Sequence, residues 1–282
     1  MKKLGLIELY MSEWHANNYP QWIEGVCKDL GYDYKVCYAW AKQDVSPVDN
    51  VTTAEWSEKY GIEICDTVEE LCKKCDNVLI LAPSNPETHL ELCQMTFKHV
   101  KGKRIYIDKT FAPDYATALE IFKLAKENDV KFFSTSALRY NDELKGHTDI
   151  KRVDTIGGGS NLDEYIIHQV EMLVKVMGVG ATELKSSLKE NGDYLFDIKY
   201  ADGREASITY SACDYEATVT YNDGTSVTKA MASPYFKNLM KAILTFFETG
   251  ELDFDTAEIL EVAKLREVII TSKGKLGEWI KL

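Results

Sequence analysis

The sequence lacks the features that would direct a protein to a membrane, a secretion pathway or nucleic acid. It has no run of about 18 apolar residues and no charged, apolar and small-residue pattern at its start. It also lacks an excess of basic residues: the formal net charge over 282 residues is -12, which repels nucleic-acid phosphates and anionic membrane surfaces. We therefore predict a soluble, cytoplasmic protein with a small-molecule substrate and no nucleic-acid or membrane partner.

Paired metal ligands and a disulfide framework are lacking as well. The seven cysteines are odd in number and lie in apolar segments, which favours buried, reduced thiols. Cys72 and Cys75 form a lone C-x-x-C at the end of a helical pattern, and no second pair lies at zinc-like spacing. We predict a structural role for these cysteines and no metal site.

Strand and helix patterns alternate through the first half of the chain. This rhythm is typical of a parallel sheet with crossover helices. The length suits two domains, and we predict that the first, a Rossmann-like doubly wound α/β domain, spans residues 1–136. Its predicted strands are 3–10, 34–41, 62–65, 77–82, 105–110 and 130–134.

In the second half the apolar period changes to two. Three segments alternate apolar and polar residues and are joined by Asp-Gly turns, which predicts hairpins; the segments are 194–200, 205–212 and 216–221. We predict an α+β domain at 137–282 with an open-faced antiparallel sheet and helices over 160–177, 234–250 and 256–273.

Two further expectations concern this second domain. Residues 139–154 are predicted to be irregular. Apolar residues such as Ile198 and Ile208 on one face of the sheet, and tyrosines on the other, would need cover. We therefore predict a homodimer or homotetramer.

Lys109 stands at the carboxyl end of the fifth predicted strand. Doubly wound sheets bind ligands at that edge, which makes Lys109 a candidate catalytic residue. The alternative is a lysine that merely ends a strand. Pro83, Asn85 and His89 follow the fourth strand and should lie at the same edge.

A second candidate site lies on the helix predicted from Ser160. Glu164, His168 and Glu171 are spaced four and three residues apart and share one helix face. A carboxylate one turn from a histidine can orient the imidazole and make it a competent base. By spacing alone, a surface histidine between two solvated acids is the simpler interpretation.

The order of these motifs resembles the glucose-fructose oxidoreductase/inositol dehydrogenase (Gfo/Idh/MocA) family. One family pattern is a strand that ends Glu-Lys-Pro, then a helix, a strand and an arginine; here Asp108-Lys109-Thr110 is followed by Arg139. The other is a Gly-Gly segment before Asp-x-x-x-His-x-x-Asp; here Gly158-Gly159 precedes the helix that carries His168. The resemblance spans nearly the whole chain.

The resemblance implies an NAD(P)-dependent oxidoreductase that acts on a sugar, polyol or similar hydroxy compound. His168 would take the hydroxyl proton while the carbon gives a hydride to the nicotinamide. Lys109 would hydrogen-bond the oxygen, and Glu164 would orient His168. Arg139 and Glu171 would bind the substrate. The residues implied for the cofactor are Leu9, Tyr10, Lys42, Pro83, Asn85 and His89.

The turn after the first strand departs from the family because it has no glycine. Dinucleotide folds need glycine there so that the backbone can turn tightly and approach the pyrophosphate, but residues 8–13 read Glu-Leu-Tyr-Met-Ser-Glu. The alternative is a cofactor-free homologue, acting as a binding, regulatory or accessory protein or as an acid-base enzyme. Trp14 and His15, just past this turn, could bind a ligand in place of the dinucleotide or simply cap the first helix.

Overall fold

By their internal packing, the residues of the chain form two compact units. The computed structural model describes residues 1–282. The amino-terminal unit comprises residues 1–135 and 239–253, and the carboxy-terminal unit comprises residues 136–238 and 254–282. The predicted division at 136/137 differs from this one chiefly because residues 239–253 pack with the first unit.

The amino-terminal unit is built on a six-stranded sheet in which all paired strands are parallel. The strand order is β3-β2-β1-β4-β5-β6, so the winding direction reverses beside β1. The carboxyl ends of β1, β4 and β5 meet at this reversal, where such sheets bind ligands. The strands are β1 (Lys2–Glu8), β2 (Tyr34–Ala41), β3 (Glu63–Ile64), β4 (Asn77–Ile80), β5 (Arg104–Ile107) and β6 (Lys131–Ser134).

Five helices connect these strands: α1 (Trp14–Leu30), α2 (Thr53–Tyr60), α3 (Val68–Lys74), α4 (His89–Phe97) and α5 (Tyr115–Glu127). Thr67 caps α3 by accepting a hydrogen bond from the Glu70 N–H, as its sequence pattern predicts. Helix α1 begins four residues before the predicted start at Asn18, because the Glu13 side chain caps it.

Close packing of β1 on α3 explains Gly5. A Cβ at that position would lie 2.6 Å from a methyl carbon of Leu71 and 2.7 Å from Sγ of Cys75. Cys72 and Cys75 are themselves buried, unpaired thiols, and burial raises their pKa values, that of Cys72 to about 12. Their predicted structural role is consistent with this packing.

The carboxy-terminal unit contains a seven-stranded mixed sheet of order β12-β11-β7-β10-β9-β8-β13. It is antiparallel except that β7 pairs parallel with β10. Strand β7 corrects the prediction that residues 139–154 are irregular throughout. The strands are β7 (Ile150–Gly157), β8 (Ala181–Leu188), β9 (Tyr194–Tyr200), β10 (Glu205–Tyr210), β11 (Glu216–Tyr221), β12 (Ser226–Ala230) and β13 (Trp279–Lys281).

Three helices complete the chain: α6 (Leu162–Met177), α7 (Tyr235–Thr249) and α8 (Ala257–Ser272). Helices α6 and α8 cover one face of the seven-stranded sheet and form an apolar core with Ile198 and Ile208. The predicted cap of α6 at Ser160 is wrong by one residue, since Asn161 accepts the hydrogen bond from the Asp163 N–H. None of the eight α-helices combines the length and apolar character that a membrane span requires.

The other face of this sheet is polar. Arg152 pairs with Asp154, and Lys185 pairs with Asp197. Tyr194 and Tyr210 pack against the apolar core. The homodimer or homotetramer stays a prediction.

Candidate functional site

In the amino-terminal unit, a buried cluster surrounds Asp108 just beyond β5. The Asp108 carboxylate is 1% exposed. It accepts hydrogen bonds from the hydroxyl groups of Tyr19 and Tyr106, each at 3.2 Å, and from the Lys109 N–H at 2.8 Å. Its remaining close partner is Nδ1 of His15. Strand β5 and helix α1 thus bring together residues that are 93 positions apart.

Asp108 is held in its charged form. Burial opposes ionisation, but the charge of His15, the hydrogen bond to it and the nearby Lys109 outweigh this effect, so the pKa of Asp108 lies below its usual value. The Tyr19 ring stacks on His15, with ring centres 5.0 Å apart and planes 16° apart. The imidazole is therefore fixed both by a carboxylate at Nδ1 and by an aromatic ring against its face.

Lys109 lies at the carboxyl edge of the sheet, where the sequence predicts it. Its side chain is partly buried, and Nζ lies 3.4 Å from the carbonyl oxygen of Pro83. The peptide bond from Lys109 to Thr110 is cis. The contact with Pro83 places the ammonium group beside the loop that follows β4. The catalytic role of Lys109 stays a prediction.

The turn after β1 is filled by its own side chains. Leu9, Tyr10 and Met11 are 7%, 8% and 1% exposed. Oε1 of Glu8 accepts the Leu9 N–H at 2.7 Å, while Oε2 is buried without a hydrogen-bond partner. Burial and the charge of Glu13 raise the pKa of Glu8 well above its usual value, although hydrogen bonds from the backbone of Ala82 and Leu9 oppose this.

This turn does not fit the pyrophosphate of a nicotinamide dinucleotide. In dinucleotide folds the pyrophosphate binds the N–H groups at the start of the first helix. Here an oxygen of Glu13 accepts the His15 N–H at 2.7 Å, so a carboxylate of the protein occupies the place of the anion. Leu9 and Tyr10, predicted to contact the cofactor, instead contribute to the filled turn.

The other predicted cofactor residues are engaged within the amino-terminal unit. Lys42 pairs with Glu91, and the Asn85 amide donates to Glu87 at 3.3 Å. His89 is fully buried, with Nε2 at the Leu81 carbonyl and Nδ1 at the Phe111 carbonyl. Burial lowers the pKa of His89, although these carbonyls oppose it. His89 holds two loops together and presents no ring nitrogen to a cofactor.

In the carboxy-terminal unit, His168 lies on α6 and is partly buried. Its Nδ1 is 2.7 Å from Oγ of Ser136. The Ser136 N–H donates to Glu171 at 3.0 Å, and the Leu138 N–H donates to Ser136 Oγ at 3.2 Å. Glu164, the predicted orienting group, lies one turn earlier on α6. The orienting role of Glu164 stays a prediction.

Glycines and tyrosines surround His168. The rings of Tyr165 and Tyr215 each lie with their centres 5.9 Å from that of His168. A Cβ at Gly159 would lie 2.6 Å from Tyr165, and one at Gly157 would collide with Tyr215. The glycine segment identified in the sequence therefore allows both aromatic rings to pack closely on the backbone beside the histidine.

Arg139 and Glu171 form a buried ionic group. Arg139 is 1% exposed; its guanidinium lies 3.4 Å from Glu171 and also pairs with Glu258. Burial raises the pKa of Glu171 to about 7, although Arg139 and the Ser136 N–H lower it. Glu171 supports the segment that carries Ser136 by accepting its N–H. The substrate-binding role predicted for Arg139 and Glu171 stays a prediction.

Comparison with known proteins supports the fold. No protein-family model matches the sequence, and no curated protein matches it. Among solved structures, myo-inositol 2-dehydrogenase from Lactobacillus plantarum has a TM-score of 0.76 at 13% identity, covering 100% of this chain and 99% of that one.

Two further solved structures are similar. An NAD binding oxidoreductase from Klebsiella pneumoniae has a TM-score of 0.74 at 13% identity, covering 99% and 98% of the two chains. UDP-N-acetylglucosamine 3-dehydrogenase from Acidithiobacillus ferrooxidans has a TM-score of 0.73 at 10% identity, covering 96% and 97%. This chain has the fold of Gfo/Idh/MocA-type dehydrogenases. The resemblance seen in the sequence is confirmed at the level of the fold.

The sequence reasoning missed several residues of these two clusters. Tyr19, Tyr106, Ser136 and Glu258 were not selected, because none is part of the family motifs around Lys109 and His168. A usable signal existed only for Tyr19, which follows His15 by four positions and so shares a helix face with it.

Proposed function

We propose that this protein acts on a sugar, polyol or related hydroxy compound by acid-base chemistry, with His168 as the group that exchanges a proton with the substrate. The observation that carries the proposal is the contact of 2.7 Å between His168 Nδ1 and Ser136 Oγ. A hydroxyl can donate or accept, so Ser136 stabilises either tautomer of the imidazole. Such an imidazole can take up and return a proton at Nε2.

Lys109 is the second proposed catalytic residue. It is partly buried at the carboxyl edge of the parallel sheet, next to the ionised Asp108. An ammonium group held there can stabilise negative charge on a substrate oxygen. The fold likeness supports the substrate class, since two of the similar structures are dehydrogenases of myo-inositol and of a nucleotide sugar.

The favoured form of this function uses no dinucleotide at the turn after β1. The Glu13 carboxylate already accepts the N–H that a phosphate would use, and Tyr10 and Met11 fill the turn. The second candidate is an NAD(P)-dependent oxidoreductase, which is favoured by the likeness of the whole chain to an NAD binding oxidoreductase.

A fluorescence titration with NADH and NADPH separates the two forms. We expect no binding at millimolar cofactor, because the anion position is taken. Binding in the micromolar range would establish the second candidate and remove the first.

To test the acid-base role, we would incubate the protein with a panel of sugars and polyols, with and without NAD(P)+. NMR would measure the rate at which each compound is converted. His168→Gln should lower the rate by about a hundredfold or more, and Ser136→Ala should shift the pH profile. His99→Gln, at a histidine outside both clusters, is the matched control. If His168→Gln reacts as fast as His99→Gln, the proposed role of His168 is wrong.

A further inference from the structure

We propose that Glu171 is a positioning residue for His168: it holds Ser136 in place, and Ser136 in turn holds the imidazole in the orientation in which the ring exchanges a proton. All three residues belong to the carboxy-terminal unit. The inference rests on the proposed function, in which His168 exchanges the proton, and deepens it by assigning the group that fixes this histidine.

Ser136 bridges two side chains of one helix face. Its backbone N–H donates to Oε1 of Glu171 at 3.0 Å, and its Oγ lies 2.7 Å from Nδ1 of His168. Glu171 and His168 are three positions apart on α6, so their side chains are neighbours. The three residues and one turn of α6 therefore close a ring of contacts, and a shift of Ser136 would change the contact at the imidazole.

The hydroxyl of Ser136 is held by the backbone as well. Ser136 is fully buried and caps the short helix Ala137–Tyr140, where its Oγ accepts the Leu138 N–H at 3.2 Å. This bond uses one lone pair, so the hydroxyl proton and the second lone pair remain for Nδ1. The hydroxyl can therefore follow both protonation states of the imidazole, provided that the backbone of Ser136 stays in place.

Glu171 uses both carboxylate oxygens. Oε1 accepts the Ser136 N–H at 3.0 Å, and Oε2 lies 3.4 Å from the guanidinium of Arg139. The contact with Ser136 is the shorter of the two, and Arg139 has a second acid partner in Glu258. Pairing with Arg139 therefore does not by itself explain why a carboxylate is buried at position 171.

A glutamine at position 171 could not replace the carboxylate. Its single carbonyl oxygen would accept from either Ser136 or Arg139, and its NH₂ group would then face the other donor. Glu171→Gln keeps the size of the side chain and removes its charge, so it separates the positioning of Ser136 from simple packing.

NMR of the histidine ring nitrogens in the full-length protein tests the proposal. We would record the signals at pH 8, above the pKa of about 7 to which burial raises the Glu171 carboxyl. Glu171→Gln should shift the Nδ1 signal of His168 in the same direction as Ser136→Ala, by roughly half as much or more. Glu171→Asp is the second variant and should act likewise, because a side chain one carbon shorter does not reach both donors.

Two controls show whether a change is local. His147 lies in the same unit, and its ring nitrogens contact the Tyr221 hydroxyl at 2.8 Å and the Glu143 carbonyl at 3.0 Å. Its signals should stay unchanged in the variants of Glu171. Glu190→Gln, at an exposed glutamate of the same unit, should leave the signals of both histidines unchanged.

Kinetics give a second readout on any compound that the wild type converts. Glu171→Gln should lower kcat by about tenfold, because the proton-exchanging group is misplaced. KM should stay within about twofold, since Glu171 acts through Ser136 and not on the substrate.

Three results would overturn the proposal: an unchanged His168 signal in Glu171→Gln, an equal shift of the His147 signals, or an unchanged kcat. If the wild type converts no compound, the proposed function fails, and the His168 signals still decide the role of Glu171. If His168→Gln abolishes turnover but Glu171→Gln has no effect on signal or kcat, only the role of Glu171 is wrong.

Discussion

The two units each place a histidine beside a buried ionic group, but in opposite ways. In the amino-terminal unit the imidazole of His15 contacts the charged Asp108 directly. In the carboxy-terminal unit Nδ1 of His168 contacts the hydroxyl of Ser136, and Glu171 accepts a hydrogen bond from the backbone N–H of that serine. A carboxylate fixes one tautomer of a neutral imidazole, whereas a hydroxyl allows both tautomers.

The buried charge at the centre of each cluster also differs in sign. Asp108 is surrounded by donors from two tyrosines and a backbone N–H. Arg139 lies between two carboxylates, Glu171 and Glu258. A buried charge is costly unless it is well paired, so the first cluster depends on its acid and the second on its base. Variants of the two clusters test this difference between them, and their expected effects decrease in the order Asp108, Arg139, Glu171 and Gly159.

Removing the central acid should have the largest effect. Asp108→Ala leaves His15, Tyr19 and Tyr106 without their shared acceptor, and we expect a loss of about 4 kcal/mol in the free energy of unfolding. Urea denaturation measures it. Asp66→Ala, at an exposed aspartate of the same unit, is the control and should change little. Similar losses in the two variants would show that the cluster does not depend on Asp108.

Removing the central base should be nearly as costly. Arg139→Gln leaves Glu171 and Glu258 facing each other without a cation, and we expect a loss of about 3 kcal/mol. The double variant Arg139→Gln/Glu171→Gln should recover roughly 1 to 2 kcal/mol, since one uncompensated acid is then neutral. Strictly additive losses in this double-mutant cycle would contradict the coupling.

Glu171 should make the second cluster sensitive to pH. Its pKa is raised to about 7, so the protonated form stabilises the folded state at low pH, and this contribution is lost as the pH rises from the usual carboxyl range through 7. Between about pH 4.5 and pH 8 the wild type should lose on the order of 2 to 3 kcal/mol relative to Glu171→Gln. Denaturation of both proteins across this range is the measurement. A constant difference would mean that Glu171 does not titrate there.

The smallest effect is expected from the glycine segment. Gly159→Ala places a methyl group 2.6 Å from Tyr165, which must move away from His168. We expect a loss of about 1 to 2 kcal/mol and a change in the fluorescence or NMR signals of that tyrosine. Gly274→Ala is the control, because a Cβ at Gly274 meets no neighbour within 4 Å. Unchanged signals of Tyr165 would show that the ring does not depend on the glycine.

The amino-acid sequence was sufficient for the parallel sheet and for the helix that carries His168. Apolar runs separated by helical periods specify buried parallel strands, and Thr67 capped its helix as its spacing predicts. Strand β7 was missed because its residues alternate only weakly: they include Arg152 and Asp154, which lie in the polar face of the sheet, and the exposed Lys151. When the charged residues of a strand pair with residues on neighbouring strands, its sequence lacks the apolar alternation from which a strand is predicted.

The sequence by itself also shows that the turn after β1 has no glycine. This restricts the backbone conformations of the turn, because backbone freedom depends on local residue type. Only the tertiary structure decided what took the place of the pyrophosphate. The partners of Asp108 come from α1, β5 and the backbone, and those of Arg139 from α6 and α8. The contacts of His15 with Asp108 and of Arg139 with Glu258 join residues 93 and 119 positions apart. The energy of a buried charge also depends on all of its neighbours at once, which no local pattern records.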